Sequence, residues 1–325
     1  MKPGLLFVFL ALTTSFAASA ADVASRDPGK LKLASVNAVV VDASEHRPVY
    51  TKGADDVTPI ASLTKLMTAI VTLDAHLPMD EAIAIDTDDF DYLKGSTSRL
   101  RMGATLPRRE MLRLALMSSE NRAASALART YPGGTEAFVH AMNEKARALG
   151  MTRTSYADST GLSARNVSTA NDLATLVAAA AEYPEIREFS TTPSYYVEVQ
   201  PTGQLLGFNN TNRLVSNSNW NIHLSKTGYI REAGKCLVML ATIASKPFVI
   251  VLLDSAGKYT RQGDAQRVRQ WLETGRSSAP ASAPVSATKA TPKAAKLKTA
   301  SYSAPRHAKR AVHARSVALP KAVRA

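Results

Sequence analysis

The order of segment types along the chain is the feature that most restricts its fold. Segments with strand-like patterns lie near both ends of the folded region, at 36–42, 48–52, 222–228, 236–245 and 248–253. Helical patterns dominate between these two groups, and one more helix follows over 261–274. This order predicts an α+β fold, in which an antiparallel sheet built from both chain ends has a helical region inserted between its strands.

The two ends of the chain differ in composition from the middle. Residues 1–20 begin with a charge, continue with a short apolar run and end in an Ala-x-Ala site, a pattern typical of a cleaved secretory signal peptide. A polar linker follows over 21–34, and the folded domain is predicted over 35–275. Residues 276–325 are rich in Ala, Pro, Lys and Arg and are predicted to form a disordered basic tail.

The positive charge of the chain is concentrated in this tail. The formal net charge is +13, and residues 277–325 contain ten Lys or Arg and no Asp or Glu, which leaves +3 for the rest. A polycation of this kind can bind an anionic polymer, a membrane surface or nucleic acid. Because the signal peptide predicts export, we expect an anionic envelope polymer or the membrane surface and no nucleic acid. A solvated tail without a partner is the alternative.

Cysteine and histidine usage restricts the kinds of site that the chain can form. Cys236 is the one cysteine, so no internal disulfide can form, and stability must come from the core that the 45% hydrophobic content allows. Cys236 lies in an apolar strand pattern and is predicted to be buried. The six histidines are scattered without metal-ligand spacing, and no glycine-rich phosphate loop is evident. The sequence therefore predicts no metal and no other cofactor.

The strongest indication of chemistry is the pair Ser62 and Lys65, at a predicted helix start just after Pro59. Residues three apart share one face of a helix, so the amine of Lys65 should lie beside the hydroxyl of Ser62. A serine hydroxyl becomes a nucleophile when a base takes its proton, and a lysine can be that base when desolvation or a second cation lowers its pKa. The pair therefore predicts a nucleophile and its base, if further polar groups lie nearby.

Two later motifs supply such groups. Ser119 and Asn121 lie at a predicted break between two helices. Ser119 is the candidate to pass a proton between Lys65 and a leaving amine, and the Asn121 amide is the candidate to orient a peptide backbone. Lys226 lies on a predicted strand that ends at Gly228. It is the candidate second cation, which would lower the pKa of Lys65 and hold a substrate carboxylate.

The third motif, Lys226-Thr227-Gly228, also predicts how a substrate is held. Glycine lets a substrate lie close against the strand. Acyl transfer needs donors for the developing oxyanion, and the candidates are the N–H of Ser62 at its helix start and the N–H of Tyr229 just past the glycine. The sequence thus predicts catalysis by Ser62, Lys65 and Ser119, and substrate binding by Asn121, Lys226, Thr227, Gly228 and Tyr229.

The ordered set Ser-x-x-Lys, Ser-x-Asn and Lys-Thr-Gly is that of class A β-lactamases and penicillin-binding proteins. Over roughly residues 35–275, and in the segments at 150–154, 158–163 and 226–234, the chain resembles a low-molecular-mass penicillin-binding protein. The resemblance implies a β-lactamase/transpeptidase-like fold with its cleft between the sheet and the helical region. It also implies a periplasmic serine D-Ala-D-Ala peptidase that acts on peptidoglycan peptide stems and is covalently inhibited by β-lactams.

The middle motif is similar to that of one branch of this family. Carboxypeptidase members usually have glycine in the central place of Ser-x-Asn, whereas this chain has Glu120, with Met117-Ser118 before the motif and Arg122-Ala123-Ala124 after it. These residues resemble the D-alanyl-D-alanine endopeptidase branch, which hydrolyses D-alanyl–diaminopimelyl cross-links. The predicted end of the domain near Thr274, without a β-rich domain or an amphipathic anchor helix, favours the same branch. The alternative is a carboxypeptidase that trims pentapeptide stems.

Two further functions compete with this one. A class A β-lactamase needs a deacylating glutamate on the loop before the helix that starts at Thr169, and that loop offers Asp158 and Asn166 but no glutamate. A non-catalytic envelope-binding protein would use the basic tail and an inactive cleft. The three intact motifs argue against it.

Overall fold

The structure is a computed structural model that describes residues 26–257 and 259–280. The described residues belong to one compact unit. The predicted signal peptide and the predicted tail beyond residue 280 lie outside the described residues. In the part of the chain that the structure describes, no helix combines the length and the apolar composition that crossing a membrane requires.

The described residues form strands and α-helices in an order close to the predicted one. The strands are β1 (Asn37–Asp42), β2 (Arg47–Lys52), β3 (Thr58–Pro59), β4 (Ala82–Ala84), β5 (Thr105–Pro107), β6 (Val167–Ser168), β7 (Ser194–Val199), β8 (Gln204–Asn209), β9 (Asn221–Ile230), β10 (Gly234–Ile243) and β11 (Lys246–Ser255). The helices are α1 (Lys65–Asp74), α2 (Arg108–Met117), α3 (Asn121–Arg129), α4 (Gly134–Ala148), α5 (Ala170–Ala181), α6 (Pro184–Thr191) and α7 (Thr260–Thr274).

The main sheet has five strands in the order β2-β1-β11-β10-β9, and every neighbouring pair is antiparallel. Its strands come from the start and the end of the folded region, and α1 to α6 lie between them in sequence. The prediction of an antiparallel sheet from both chain ends is therefore confirmed. Strand β9 forms one edge of the sheet, where it contacts α6 and the turn at residues 61–64.

The sheet separates two hydrophobic cores, because successive side chains of a strand point to opposite faces. Val39 of β1 belongs to the core shared with α1 to α6, whereas its two neighbours in the strand belong to the core under α7. One face of α7 packs into this second core, and its residues are fully buried: Val268, Trp271 and Leu272. Cys236 is also buried, as predicted.

Three details of the predicted fold are wrong. Helix α6 and the strands β3, β5, β6 and β8 have no counterpart among the predicted elements; α6 is only eight residues long, and Pro184 in its first turn favours its start. Strand β9 does not end at Gly228 but continues to Ile230, because Gly228 still pairs with Cys236 of β10. Ser62 lies in a 3-10 turn rather than in the first turn of α1.

Replacing Trp271 by alanine tests the core under α7. The Trp271 ring is fully buried and meets the Tyr50 ring edge-on, with centroids 6.2 Å apart. We expect Trp271→Ala to lower the free energy of unfolding by about 3–5 kcal/mol, because the substitution empties a packed site. Urea denaturation of the full chain measures this. Leu205→Ala is the control: Leu205 is exposed, and its truncation should change the value by less than about 0.5 kcal/mol. Equal effects of the two substitutions would contradict this assignment of the core.

Candidate active site

Ser62 and Lys65 lie where a short 3-10 turn leads into α1. The turn spans Ala61–Thr64, and it begins with Ala61 at a φ of 48°, in the left-handed region. Side chains three residues apart are eclipsed in a 3-10 helix, so the amine comes close to the hydroxyl. Lys65 Nζ donates a hydrogen bond to Ser62 Oγ at 2.9 Å. The structure therefore brings the first predicted pair into direct contact.

The amine of Lys65 is enclosed by protein. The side chain is fully buried, and besides Ser62 its Nζ has two acceptors, Asn121 Oδ1 at 2.7 Å and the backbone oxygen of Thr160 at 2.6 Å. The acceptors come from the 3-10 turn, the start of α3 and the loop before α5. Three segments that are distant in sequence therefore fix the position of one nitrogen.

Burial is the main cause of the lowered pKa of Lys65. It lowers this pKa to about 7, although three carboxylates act in the opposite direction, those of Asp158, Glu120 and Asp91. An amine with this pKa is uncharged in a large fraction of molecules near neutral pH, and only the uncharged amine can accept a proton. The predicted cause, a second cation at Lys226, is corrected here: desolvation lowers the pKa of Lys65, and the charge of Lys65 in turn lowers the pKa of Lys226.

Ser119 occupies the turn between α2 and α3, where its φ of 61° places it in the left-handed region. Its Oγ accepts a hydrogen bond from Lys226 Nζ at 2.9 Å. The sequence predicts a proton relay between Ser119 and Lys65. In the structure the amine in contact with Ser119 is that of Lys226, so the hydroxyls of Ser62 and Ser119 are each bonded to a different lysine.

Asn121 is the first residue of α3, and both ends of its amide are engaged. Its Oδ1 accepts from Lys65 Nζ, and its Nδ2 donates to Ser96 Oγ at 2.9 Å. The sequence predicts that Asn121 orients a peptide backbone. The structure adds that its side chain orients the amine of Lys65 and ties it to the segment around Ser96.

Lys226 and Thr227 lie on β9, at the edge of the main sheet, and both are buried. Besides the contact with Ser119, Lys226 Nζ donates to the backbone oxygen of Thr227 at 3.1 Å, and Thr227 Oγ1 donates to Thr211 Oγ1 at 2.7 Å. Burial lowers the pKa of Lys226 well below its usual value, and the positive charges of Lys65 and Arg261 lower it further. This edge of the sheet therefore presents a second amine that gives up its proton readily.

Gly228 allows β9 to approach the turn that contains Ser62. A Cβ at this position would lie 2.9 Å from the backbone oxygen of Ile60 and 3.1 Å from the backbone nitrogen of Ser62. Contacts this short force the strand or the turn to move. The backbone N–H groups of Ser62 and Tyr229, the two predicted oxyanion donors, thus belong to one close junction between turn and strand.

These side chains meet at a cleft of about 460 Å³ between the sheet edge and the helical region. Six predicted site residues line it: Ser62, Ser119, Asn121, Thr227, Gly228 and Tyr229. Lys65 and Lys226 lie behind Ser62 and Ser119 and reach the cleft through their hydrogen bonds. The structure thus brings together all eight residues that the sequence singles out.

Three contributors to the site were not predicted. The Thr160 oxygen is a backbone group, which no side-chain motif reveals. Ser96 lies in a segment without a motif, so its contact with Asn121 has no signal in the sequence. Arg261 lies in the first turn of α7 and lines the cleft, and its guanidinium donates to the backbone oxygens of Gly228 at 2.8 Å and Cys236 at 3.1 Å. It therefore holds the middle of β9 against β10.

The loop before α5 uses its polar side chains for its own conformation. The carboxylate of Asp158 accepts from the backbone N–H groups of Thr160, Gly161 and Ser163 at 2.6–2.9 Å. Asn166 is buried and donates to Thr64 Oγ1 and to the backbone oxygen of Asp158. These contacts hold the Thr160 oxygen against Lys65.

Over residues 26–257 and 259–280, no group of three His, Cys, Asp or Glu side chains is arranged to hold a metal ion.

Comparisons with known proteins agree with this geometry. A family model described as D-alanyl-D-alanine carboxypeptidase matches residues 22–257. A D-alanyl-D-alanine endopeptidase of Pseudomonas aeruginosa is 50% identical over 270 residues, which cover 83% of this chain and 87% of that protein.

Solved structures give the same result for the fold. A Streptomyces DD-transpeptidase matches with a TM-score of 0.70 and 29% identity, over 75% of this chain and 98% of that one. A penicillin-binding protein of Listeria monocytogenes in its cefotaxime-bound form matches with a TM-score of 0.65 and 28% identity, over 74% of this chain and 98% of that one. The predicted β-lactamase/transpeptidase-like fold is confirmed.

The lowered pKa of Lys65 predicts how the reactivity of Ser62 depends on pH. Ser62 can pass its proton only to the uncharged amine, so the rate at which a labelled penicillin acylates Ser62 should rise as the pH increases through about 7 and then level off. With an exposed lysine, whose pKa is about 10.4, the rate would keep rising far above neutral pH. Single-turnover rates at constant ionic strength measure the profile. A rate that does not change across neutral pH would contradict the assignment of Lys65 as the base.

Replacing Gly228 by alanine tests the junction between β9 and the Ser62 turn. The added Cβ collides with backbone atoms of residues 60 and 62, so we expect acylation of Ser62 to slow by about tenfold or more, since small displacements of reacting groups are costly. Gly263→Ala in α7 is the control, because its Cβ would meet only the flexible end of Arg267 at 3.1 Å. Unchanged acylation in Gly228→Ala would show that the junction tolerates a side chain.

Proposed function

The chain belongs to the D-alanyl-D-alanine carboxypeptidase family, and we propose that it is a periplasmic serine DD-endopeptidase that hydrolyses D-alanyl–diaminopimelyl cross-links of peptidoglycan. The observation that carries the proposal is the 2.9 Å contact between Ser62 Oγ and the buried amine of Lys65. Such a pair provides a nucleophile and its base. Candidates for the other groups that acyl transfer needs lie in the same cleft.

In the first step, Ser62 Oγ attacks the carbonyl carbon of the D-alanine in the cross-link. Its proton passes to the uncharged Nζ of Lys65 as the new C–O bond forms. The negative charge that develops on the carbonyl oxygen needs preorganised donors. The N–H groups of Ser62 and Tyr229 are the candidates, and the close approach of β9 to the Ser62 turn at Gly228 supports this role.

In the second step, the C–N bond breaks and the leaving amine needs a proton. Ser119 is the candidate donor, and Lys226 can restore the proton to Ser119, because its Nζ lies 2.9 Å from Ser119 Oγ. The lowered pKa of Lys226 makes it a better acid for this purpose. After acylation, Lys65 has therefore gained one proton and Lys226 has lost one.

In the third step, water attacks the ester carbon of the acyl-enzyme. The proton of the water passes through Ser119 to Lys226, and Lys65 returns its proton to the Ser62 oxygen as the ester C–O bond breaks. The products are the free carboxyl group of the D-alanine and the starting enzyme. A β-lactam would enter the first step in the same way and form a covalent adduct. The Listeria monocytogenes relative in its cefotaxime-bound form supports the binding of a β-lactam.

Two observations favour the endopeptidase over the carboxypeptidase. The P. aeruginosa relative that is 50% identical over 83% of this chain is named an endopeptidase. Glu120 stands in the middle of the second motif, as in the endopeptidase branch that the sequence resembles. The description of the matching family model keeps the carboxypeptidase as the second candidate.

The ends of the chain supply the remaining parts of the proposal. Residues 1–20 would direct export and be removed, and the catalytic domain would extend over 35–275. The tail, residues 276–325, would associate with an anionic envelope polymer or the membrane surface. The ten Lys or Arg without any Asp or Glu in residues 277–325 support this association.

Replacing Ser62 by alanine tests the nucleophile. We expect Ser62→Ala to abolish the covalent penicillin adduct and the hydrolysis of purified cross-linked muropeptides, with an unchanged urea midpoint, because the substitution removes only the attacking oxygen. Ser218→Ala is the matched control, since Ser218 is exposed outside the cleft. A penicillin adduct at another residue of the wild-type protein would refute the proposal.

The product separates the two candidate activities. Dimeric muropeptides that split into monomers identify an endopeptidase, and pentapeptides that lose a terminal D-alanine identify a carboxypeptidase. Fast turnover of nitrocefin would instead favour a β-lactamase.

A further inference from the structure

One end of the cleft carries charged side chains that the reaction steps do not use. Lys94 and Arg231 line the cleft together with Ser62. Lys94 Nζ lies 2.6 Å from Glu232 Oε1, and the two side chains are 34% and 40% exposed. This ion pair joins the segment before Ser96 to the turn between β9 and β10, so it connects the two walls of the cleft.

The segment that presents Lys94 is held in place by its own hydrogen bonds. The carboxylate of Asp91 accepts from the backbone N–H groups of Leu93, Lys94 and Ser96 at 2.8–2.9 Å. Ser96 Oγ in turn accepts a hydrogen bond from Asn121 Nδ2, and Asn121 Oδ1 accepts one from Lys65 Nζ. The backbone that carries Lys94 is therefore fixed relative to Ser62 and Lys65.

The direction of the substrate along β9 follows from the proposed reaction. The leaving amine must lie near Ser119, the candidate proton donor, whose Oγ is hydrogen-bonded to Lys226 Nζ. Strand β9 runs from Lys226 past Tyr229 towards residue 231. The peptide stem that keeps the acylated D-alanine must therefore extend towards Arg231 and the Lys94–Glu232 pair.

The stem residue that precedes the acylated D-alanine is a diaminopimelyl residue, whose side chain carries two opposite charges at its end. A diaminopimelyl residue whose second amine is not cross-linked ends in an ammonium and a carboxylate on one carbon. We propose that Lys94 and Glu232 bind this end group, with the carboxylate on Lys94 and the ammonium on Glu232. Binding would replace the Lys94–Glu232 ion pair of the free protein by two ion pairs, one between Lys94 and the carboxylate and one between Glu232 and the ammonium. Arg231 provides a further cation for the carboxylate. This inference rests on the proposed function.

Three synthetic cross-linked substrates test the subsite with the wild-type protein. The first has the free end group on the donor stem, the second has its carboxylate amidated, and the third has its ammonium acetylated. We expect kcat/KM for the first to exceed that for either of the others by about fivefold, because each modification removes one charge-assisted contact at a partly exposed site. Equal kcat/KM for the three substrates would overturn the proposal.

Two variants assign the contacts. Lys94→Gln should no longer distinguish the amidated from the free substrate, and Glu232→Gln should no longer distinguish the acetylated one. Lys145→Gln is the matched control, because Lys145 pairs with Asp74 at 2.7 Å with a similar exposure of 30% but lies on α4, outside the cleft. Penicillin has no stem, so its acylation rate should stay within about twofold of the wild type in all three variants.

The other outcomes are distinct. If Lys94→Gln accelerates the hydrolysis of all three substrates equally, the Lys94–Glu232 ion pair restricts access to the cleft rather than binding the end group, and the proposal is overturned. If it slows penicillin acylation as much as hydrolysis, Lys94 only supports the cleft and the proposal is also overturned. If the wild type neither reacts with penicillin at Ser62 nor splits any substrate, the proposed function fails and this inference fails with it.

Discussion

The burial of one amine, that of Lys65, is the constraint on which the rest of the site depends. A buried amine without hydrogen-bond partners is costly, so its acceptors must be present before the site can form. The chain supplies them from three places: the Ser62 hydroxyl, the Asn121 amide and the Thr160 backbone oxygen. These three acceptors belong to the 3-10 turn, to α3 and to the loop before α5. The hydrogen bonds to Lys65 Nζ therefore connect three segments of the helical region. The same burial brings the pKa of this amine into the neutral range.

The sheet contributes the second half of the site through its edge strand. Lys226 and Ser119 are 107 residues apart in sequence, yet they form a hydrogen bond because the end of the chain returns to pair with β1 and leaves β9 at the edge beside the helical region. Gly228 permits the close approach of this edge to the Ser62 turn. Arg261 of α7 holds the backbone of Gly228 from the other side. An antiparallel sheet from both chain ends is thus what closes the cleft.

The sequence reveals the parts of the site that depend on side-chain chemistry. A nucleophile, a base and a proton donor require particular residue types at fixed spacings, so the candidates Ser62, Lys65, Ser119 and Lys226 could be found without coordinates. The Thr160 oxygen could not be found, because every residue has a backbone carbonyl and only the fold selects one. The lysine that contacts Ser119 could not be found for a similar reason: spacing places two amines in one cleft but does not say which hydroxyl each one contacts. Helix α6 escaped prediction because it is only eight residues long, and strand β8 because its residues, Gly207 among them, do not alternate between apolar and polar side chains.

The contacts of the two amines explain how one cleft can use both. Each lysine is bonded to a different hydroxyl, Lys65 to Ser62 and Lys226 to Ser119. Two charged amines repel each other strongly where water is excluded, so the charge on one favours loss of the proton from the other. In the proposed reaction, Lys65 gains a charge when it takes the proton of Ser62, and this charge would favour transfer of a proton from Lys226 through Ser119 to the leaving amine. The repulsion that makes the pair unfavourable to bury would then couple proton uptake at the proposed nucleophile to proton delivery at the leaving group.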